Sequence, residues 1–151
     1  MRIVTYNIQY GIGLDGKYDV RRICDTVCDA DIICLQEVTR GFIRNGGADM
    51  VAEVEAQLPT HFSSFHAAMD IDMMSGLVEG RAVNRRFQFG NMVLSRWPIT
   101  ASRGHLLPRH ARADKLNLQR GALEALITTP DGPIRVYSVH LDHISAEERL
   151  A

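Results

Sequence analysis

The chain has 151 residues, 46% hydrophobic and 23% charged, enough for one ordinary domain with one core. Its formal net charge of -1 excludes a broadly basic, nucleic-acid-coating surface, so any nuclease reading must rest on a local site. No stretch approaches the ~18 uninterrupted apolar residues of a membrane span, and the N-terminus MRIVTYNIQYG lacks the apolar core of a signal peptide. A cytoplasmic protein is expected.

Arg2 to Ile8 is rich in Ile, Val, Thr and Tyr and reads as a strand, broken by Gly11 and Gly13 and by a turn at Asp15-Gly16. Asp19 suits an N-cap, and Val20, Ile23, Cys24, Val27 and Cys28 fall on one face of a helix. Ile32 to Leu35 is a continuous apolar run, read as a strand covered on both faces and ending in Gln36-Glu37. Ligands tend to gather at such strand ends in open α/β sheets.

After a loop at Arg44 to Gly47, Ala48 to Leu58 reads as a helix stopped by Pro59, with Val51, Val54 and Leu58 on one side. Phe62 to Met69 reads as a strand, and Asp70 to Arg86 as a long surface loop. Asn91 to Arg96 is a further strand, and 103–117 a polar, His- and Arg-rich connection. Gln119 to Thr128 and Ile134 to Leu141 form a strand pair around Pro130-Asp131-Gly132-Pro133. Ser145 and Glu148 have the spacing of a capping box. The order of elements predicts a mixed α/β fold with antiparallel pairing toward the end.

The three cysteines, Cys24, Cys28 and Cys34, have no zinc-ligand spacing and are expected to be buried thiols, as suits a reducing compartment. Three polar residues interrupt or end apolar strands: Asn7, Glu37 and His140. Each alone could be a hydrogen-bonded amide, a solvated carboxylate or a satisfied core histidine. Together they suggest one polar centre, because buried polar groups need partners. A carboxylate with an amide beside it suits a hard cation such as Mg²⁺, which completes its shell with water and phosphate. His140-Leu141-Asp142-His143 lacks the spacing of a histidine-rich metal centre, so Asp142 and His143 are read as a polar rim. Arg81, Arg85, Arg86, Arg103, Arg109 and Arg112, with Phe87, Phe89 and Trp97 interleaved, are read as a solvated face anchored by aromatics rather than a base-stacking groove.

The segments MRIVTYNIQYG, DIICLQEV, FGNMVLSRWPI, QRGALEALI and VYSVHLDH, in that order, resemble the endonuclease/exonuclease/phosphatase family. The resemblance implies the N-terminal part of a four-layer α/β sandwich and metal-dependent hydrolysis of a phosphodiester or phosphomonoester. It implies Glu37 as a metal ligand, Asn7 as support for the metal and catalytic network, and His140 and Arg120 on the substrate phosphate. Mg²⁺ is the expected cofactor, with Mn²⁺ as an alternative, and nucleic acid is among the candidate substrates. The family's later G-D-x-N and S-D-H motifs do not occur in this chain. A truncated, nearly inactive domain is therefore expected, with one sheet whose uncovered face would promote self-association. The competing expectation is a non-catalytic module that binds phosphate or pairs with another protein.

Overall fold

A computed structural model describes residues 1–109 and 118–142. His143, Arg112 and the Ser145/Glu148 capping box lie outside the described residues. Nine strands and two α-helices occur among the described residues: β1 (Ile3–Asn7), α1 (Val20–Val27), β2 (Ile32–Arg40), α2 (Met50–Gln57), β3 (Phe62–Asp72), β4 (Gly76–Val78), β5 (Arg81–Val83), β6 (Arg86–Ser95), β7 (Ile99–Leu106), β8 (Gly121–Thr129) and β9 (Gly132–His140).

Local chemistry sets both helix starts. Asp19 caps α1 by accepting from the Arg22 backbone N–H at 2.9 Å, and Asp49 caps α2 by accepting from Ala52 at 3.1 Å. The apolar face of α1 buries Val20, Ile23, Cys24 and Val27. Its last expected member, Cys28, follows the final helical residue and is exposed, so only Cys24 and Cys34 are buried thiols.

The main sheet has the order β1-β2-β6-β3, with β1 parallel to β2 and the other pairings antiparallel. Ile33 and Leu35 face α1 and α2, in one core with Val27, Met50, Val54, Met92 and Leu94. Ile32 and Cys34 face the other way, into a second core with Val93, Leu123, Ala125 and Ile127. A second sheet, β7-β8-β9, supplies those partners. The main sheet is thus covered on both faces, as the unbroken apolar run of β2 requires.

Three expectations are corrected. The chain holds two packed sheets, not one; exposed apolar side chains remain on the edge strand β1, with Ile3 51% and Tyr6 38% exposed, and on β9, with Tyr137 49% and Val139 42% exposed. Asp70 to Arg86 is no plain loop: β3 runs on to Asp72, β6 begins at Arg86, and the small β4–β5 hairpin lies between them. Part of the 103–117 connection belongs to β7, in which Thr100 to Gly104 and Leu106 are exposed, so it carries no apolar alternation. Among the described residues, no helix is long and apolar enough to cross a membrane.

Candidate active site

Asn7 and Glu37 come together because β1 and β2 lie side by side in parallel, with Asn7 opposite Gln36. Glu37 is not the end of its strand. It is the extra residue of a β-bulge between Gln36 and Val38, with φ at +63°. The bulge resets the alternation of β2. Gln36 faces the second sheet, whereas Val38 returns to the helix-side core, so Glu37 projects at the edge of both. A positive φ in a residue other than glycine is strained, and such strain is concentrated at functional sites.

The neighbouring strand makes room for this. Gly90 pairs with Val38 on one side and Ala67 on the other, and both flanking strands shift register there. A Cβ at Gly90 would lie 1.8 Å from the His66 carbonyl oxygen. No side chain fits at that point, so the doubled bulge depends on glycine.

The Asn7 side-chain amide donates to Glu37 Oε1 at 3.1 Å, and its carbonyl oxygen accepts from the Gln9 N–H at 3.0 Å. Asn7 therefore fixes the carboxylate and the turn after β1 together. His140, the last residue of β9, places Nε2 3.6 Å from Glu37 Oε1. Arg120, just before β8, places Nη1 3.2 Å from His140 Nε2. Its guanidinium carbon lies 6.0 Å from the Phe89 ring centre, and Phe89 lies 5.7 Å from the His140 ring. All four expected residues converge. Asn7, Gln9, Tyr10, Glu37 and His140 line an open cavity of about 480 Å³.

Sequence reasoning missed the groups that hold this arrangement. Asn91 is 3% exposed, and its amide donates to the Gly121 carbonyl at 2.9 Å and the Ser138 carbonyl at 2.8 Å. It joins the main sheet to β8 and β9 beside Arg120 and His140. Gln36 donates to Ser138 Oγ at 3.0 Å, and Ser138 Oγ donates to the Leu35 carbonyl at 3.2 Å. Asp142, expected at a polar rim, is instead 4% exposed and pairs with Arg120. An amide inside an apolar strand was the available signal at Asn91, as it was at Asn7, although Asn91 is buried and Asn7 exposed.

Tyr10 closes the cavity wall. Its ring lies 4.8 Å from Phe42 and 6.0 Å from Phe89. Burial, and next the Glu37 charge, push its hydroxyl above the ordinary tyrosine range, so it stays a protonated donor. Phe87 stacks on Phe42 at 4.8 Å, Phe89 is buried, and Trp97 packs on the second core. These aromatics are packing anchors, as the bland reading of the arginine-rich stretch expects.

Among the described residues, no group of three or more His, Cys, Asp or Glu side chains could hold a metal. One carboxylate on an open cavity does not form a closed zinc cage, but it fits a hard cation that keeps most of its shell for water and phosphate.

A solved endonuclease/exonuclease/phosphatase from Beutenbergia cavernae DSM 12333 resembles this chain with a TM-score of 0.71 and 22% identity, over 97% of this chain and 39% of that one. An endonuclease/exonuclease/phosphatase family protein from Leptotrichia buccalis C-1013-b gives 0.62 and 17%, over 94% and 54%. The chain thus spans about two fifths to one half of these neighbours' lengths, and at such identities the likeness establishes the fold. No curated protein matches the chain. The sequence model of the Endonuclease/Exonuclease/phosphatase family matches residues 4–144, and the chain belongs to that family.

Proposed function

We propose that this chain carries the cation-binding and phosphate-gripping part of a Mg²⁺-dependent phosphoesterase site. The observation that supports this reading best is the meeting of Asn7, Glu37 and His140 around one cavity, with the buried Arg120 packed against His140. Family membership supports hydrolysis of phosphate esters in general.

Glu37 would hold Mg²⁺, or Mn²⁺ in its place, through the oxygen atoms that Asn7 aims at the cavity. Such a cation, when bound, lowers the cost of negative charge on phosphate oxygens and the leaving group. Arg120 offers a planar fork of donors suited to two phosphate oxygens at once. Its stacking on Phe89 and contact with His140 restrict its swing. His140 adds a further ring N–H toward the same phosphate. Tyr10, kept protonated, supplies a neutral donor in the cavity lining.

The reaction is attack of water on phosphorus. The water oxygen bonds to phosphorus, the P–O ester bond breaks, one water proton passes to a base, and the departing alkoxide takes up a proton. The four residues fit binding, orientation and charge stabilisation in this sequence. Activation of the water belongs to the family's G-D-x-N and S-D-H motifs, and neither is present in this chain.

The test is hydrolysis of bis-p-nitrophenyl phosphate and p-nitrophenyl phosphate by the whole protein, with and without chelator, and with Mg²⁺ or Mn²⁺ restored. Turnover that needs the cation and disappears in Glu37→Ala supports the reading. Cation-independent phosphate binding without turnover, unchanged in Glu37→Ala, overturns it in favour of a binding module.

A further inference from the structure

Gln9 and Tyr10, which line the cavity at Glu37 and His140, also line a second cavity of about 270 Å³, together with Gly13, Leu14, Gly16 and Arg44. The partition between the two is the turn after β1, where Gln9 and Tyr10 hold φ at +46° and +56°. Such strain gathers at functional sites. The Tyr10 carbonyl accepts from Asn45 Nδ2 at 3.3 Å, and Asn45, 7% exposed, also donates to Thr39 Oγ1 at 3.0 Å. This buried amide ties the turn to the segment Ile43–Asn45 and so sets where Arg44 stands. Arg44 is exposed and has no ion pair or side-chain hydrogen bond among the described residues. Acidic residues of the adjoining loops are engaged elsewhere: Asp15 pairs with Arg22, and Asp49 with Arg40. Burial and Glu37 raise the pKa of the Tyr10 hydroxyl, and Arg120 and Arg44 act against them, so the Arg44 charge is felt at the shared wall. Glu37 thus faces one cavity and Arg44 the other.

We propose that Arg44 forms a second anion subsite, which takes a neighbouring phosphate of a substrate whose scissile phosphate lies at Glu37 and His140. The assignment rests on the phosphoesterase reading of the site. It narrows the substrate class to an ester that carries more than one phosphate. A guanidinium without an internal partner keeps its N–H donors for a ligand and can grip two phosphate oxygens at once. With a net charge of -1, the chain has no general basic surface to draw in such a substrate, so the attraction has to be local. A nucleic-acid strand and a small bisphosphorylated ester share this chemistry.

The experiment is equilibrium binding to the whole protein by calorimetry, with chelator present to stop cation-dependent turnover. One pair of probes is the thymidine dinucleotide TpT and the same dinucleotide with both terminal phosphates, pTpTp. The other is fructose monophosphate and fructose bisphosphate. In at least one pair, the parent should bind the more phosphorylated member about fivefold or more tightly. Arg44→Ala should remove most of that preference, and Arg44→Lys, which keeps the charge without the fork, should retain part of it. Arg103→Ala, which removes an exposed arginine on β7, should leave the preference intact. A preference in the dinucleotide pair assigns the subsite to a strand, and one in the sugar pair assigns it to a small ester. No preference in either pair, a preference that survives Arg44→Ala, or one that Arg103→Ala removes equally overturns the subsite. Should Arg44→Ala not fold in a thermal melt, Arg44→Gln carries the test. Turnover of bis-p-nitrophenyl phosphate with Mg²⁺ restored separates the two readings. Its absence in the parent overturns the phosphoesterase, and its presence without an Arg44-dependent preference overturns the subsite alone.

Discussion

The Asn7 side-chain amide and the Glu37 carboxylate, 30 residues apart in sequence, are joined by a 3.1 Å hydrogen bond across the parallel pair β1 and β2. The bond exists because Glu37 sits in a bulge that lifts it out of the ladder. The strain of φ at +63° is a cost to folding of ~1 kcal/mol that the protein bears for the position of that carboxylate.

Glu37→Gly therefore separates stability from function. Glycine adopts this backbone without strain, so the urea midpoint should stay level or rise. Cation-dependent phosphoesterase turnover by the whole protein should fall by on the order of a hundredfold or more. A marked loss of stability would show that the Glu37 side chain, and not Gly90, holds the bulge.

Asn91→Ala should act on the fold first. It leaves two buried carbonyls, those of Gly121 and Ser138, without their donor. The expected loss is about 2–4 kcal/mol in a denaturation experiment. Since those carbonyls belong to the segments carrying Arg120 and His140, phosphate affinity should fall at temperatures where the variant is still folded. A loss below half a kcal/mol would mean that the sheets do not depend on this stitch.

His66 makes stability depend on pH. Its ring lies between β3 and β7, over Gly104, where a Cβ would meet it at 2.1 Å, and its Nε2 is buried without a hydrogen-bond partner among the described residues. Burial, and then the charge of His105, hold its pKa below the usual 6.5. The unfolded chain takes up a proton near 6.5 that the folded chain resists, so this contribution is complete above that pH and shrinks as pH falls toward the folded value. Urea midpoints should decline from pH 7.5 to 5.5, and His66→Gln should flatten that decline. An unchanged slope in the variant would assign the acid sensitivity elsewhere.

Cys28 should react with an aromatic disulfide reagent at once in the native protein, since it is exposed. Cys24 and Cys34 should wait for unfolding: both are buried, and burial pushes each thiol up to about 11. Three fast thiols in the native state would contradict the packing of α1 and β2.

Much of this was legible in the sequence because it depends on local chemistry. Asp19 as a cap, the Val20–Ile23–Cys24–Val27 face and the Ile32–Leu35 run each follow from side-chain period and hydrogen bonding over a few residues. Asn7, Glu37 and His140 also stood out, since a polar group in an apolar strand needs a reason, whereas Arg120 was indicated by the family resemblance alone. What stayed hidden depends on partners far away in the chain. Glu37 read as a strand end because a bulge leaves no local mark; only the glycine opposite, 53 positions on, permits it. The second sheet was missed because β7 turns exposed residues to solvent and finds its pairing only against β8. Asp142 read as a rim residue because burial of a charge is decided by where its counter-charge lies, and Arg120 is brought to it by the fold. The sequence determined which residue types could bind phosphate and cation; the register of two packed sheets decided that they meet.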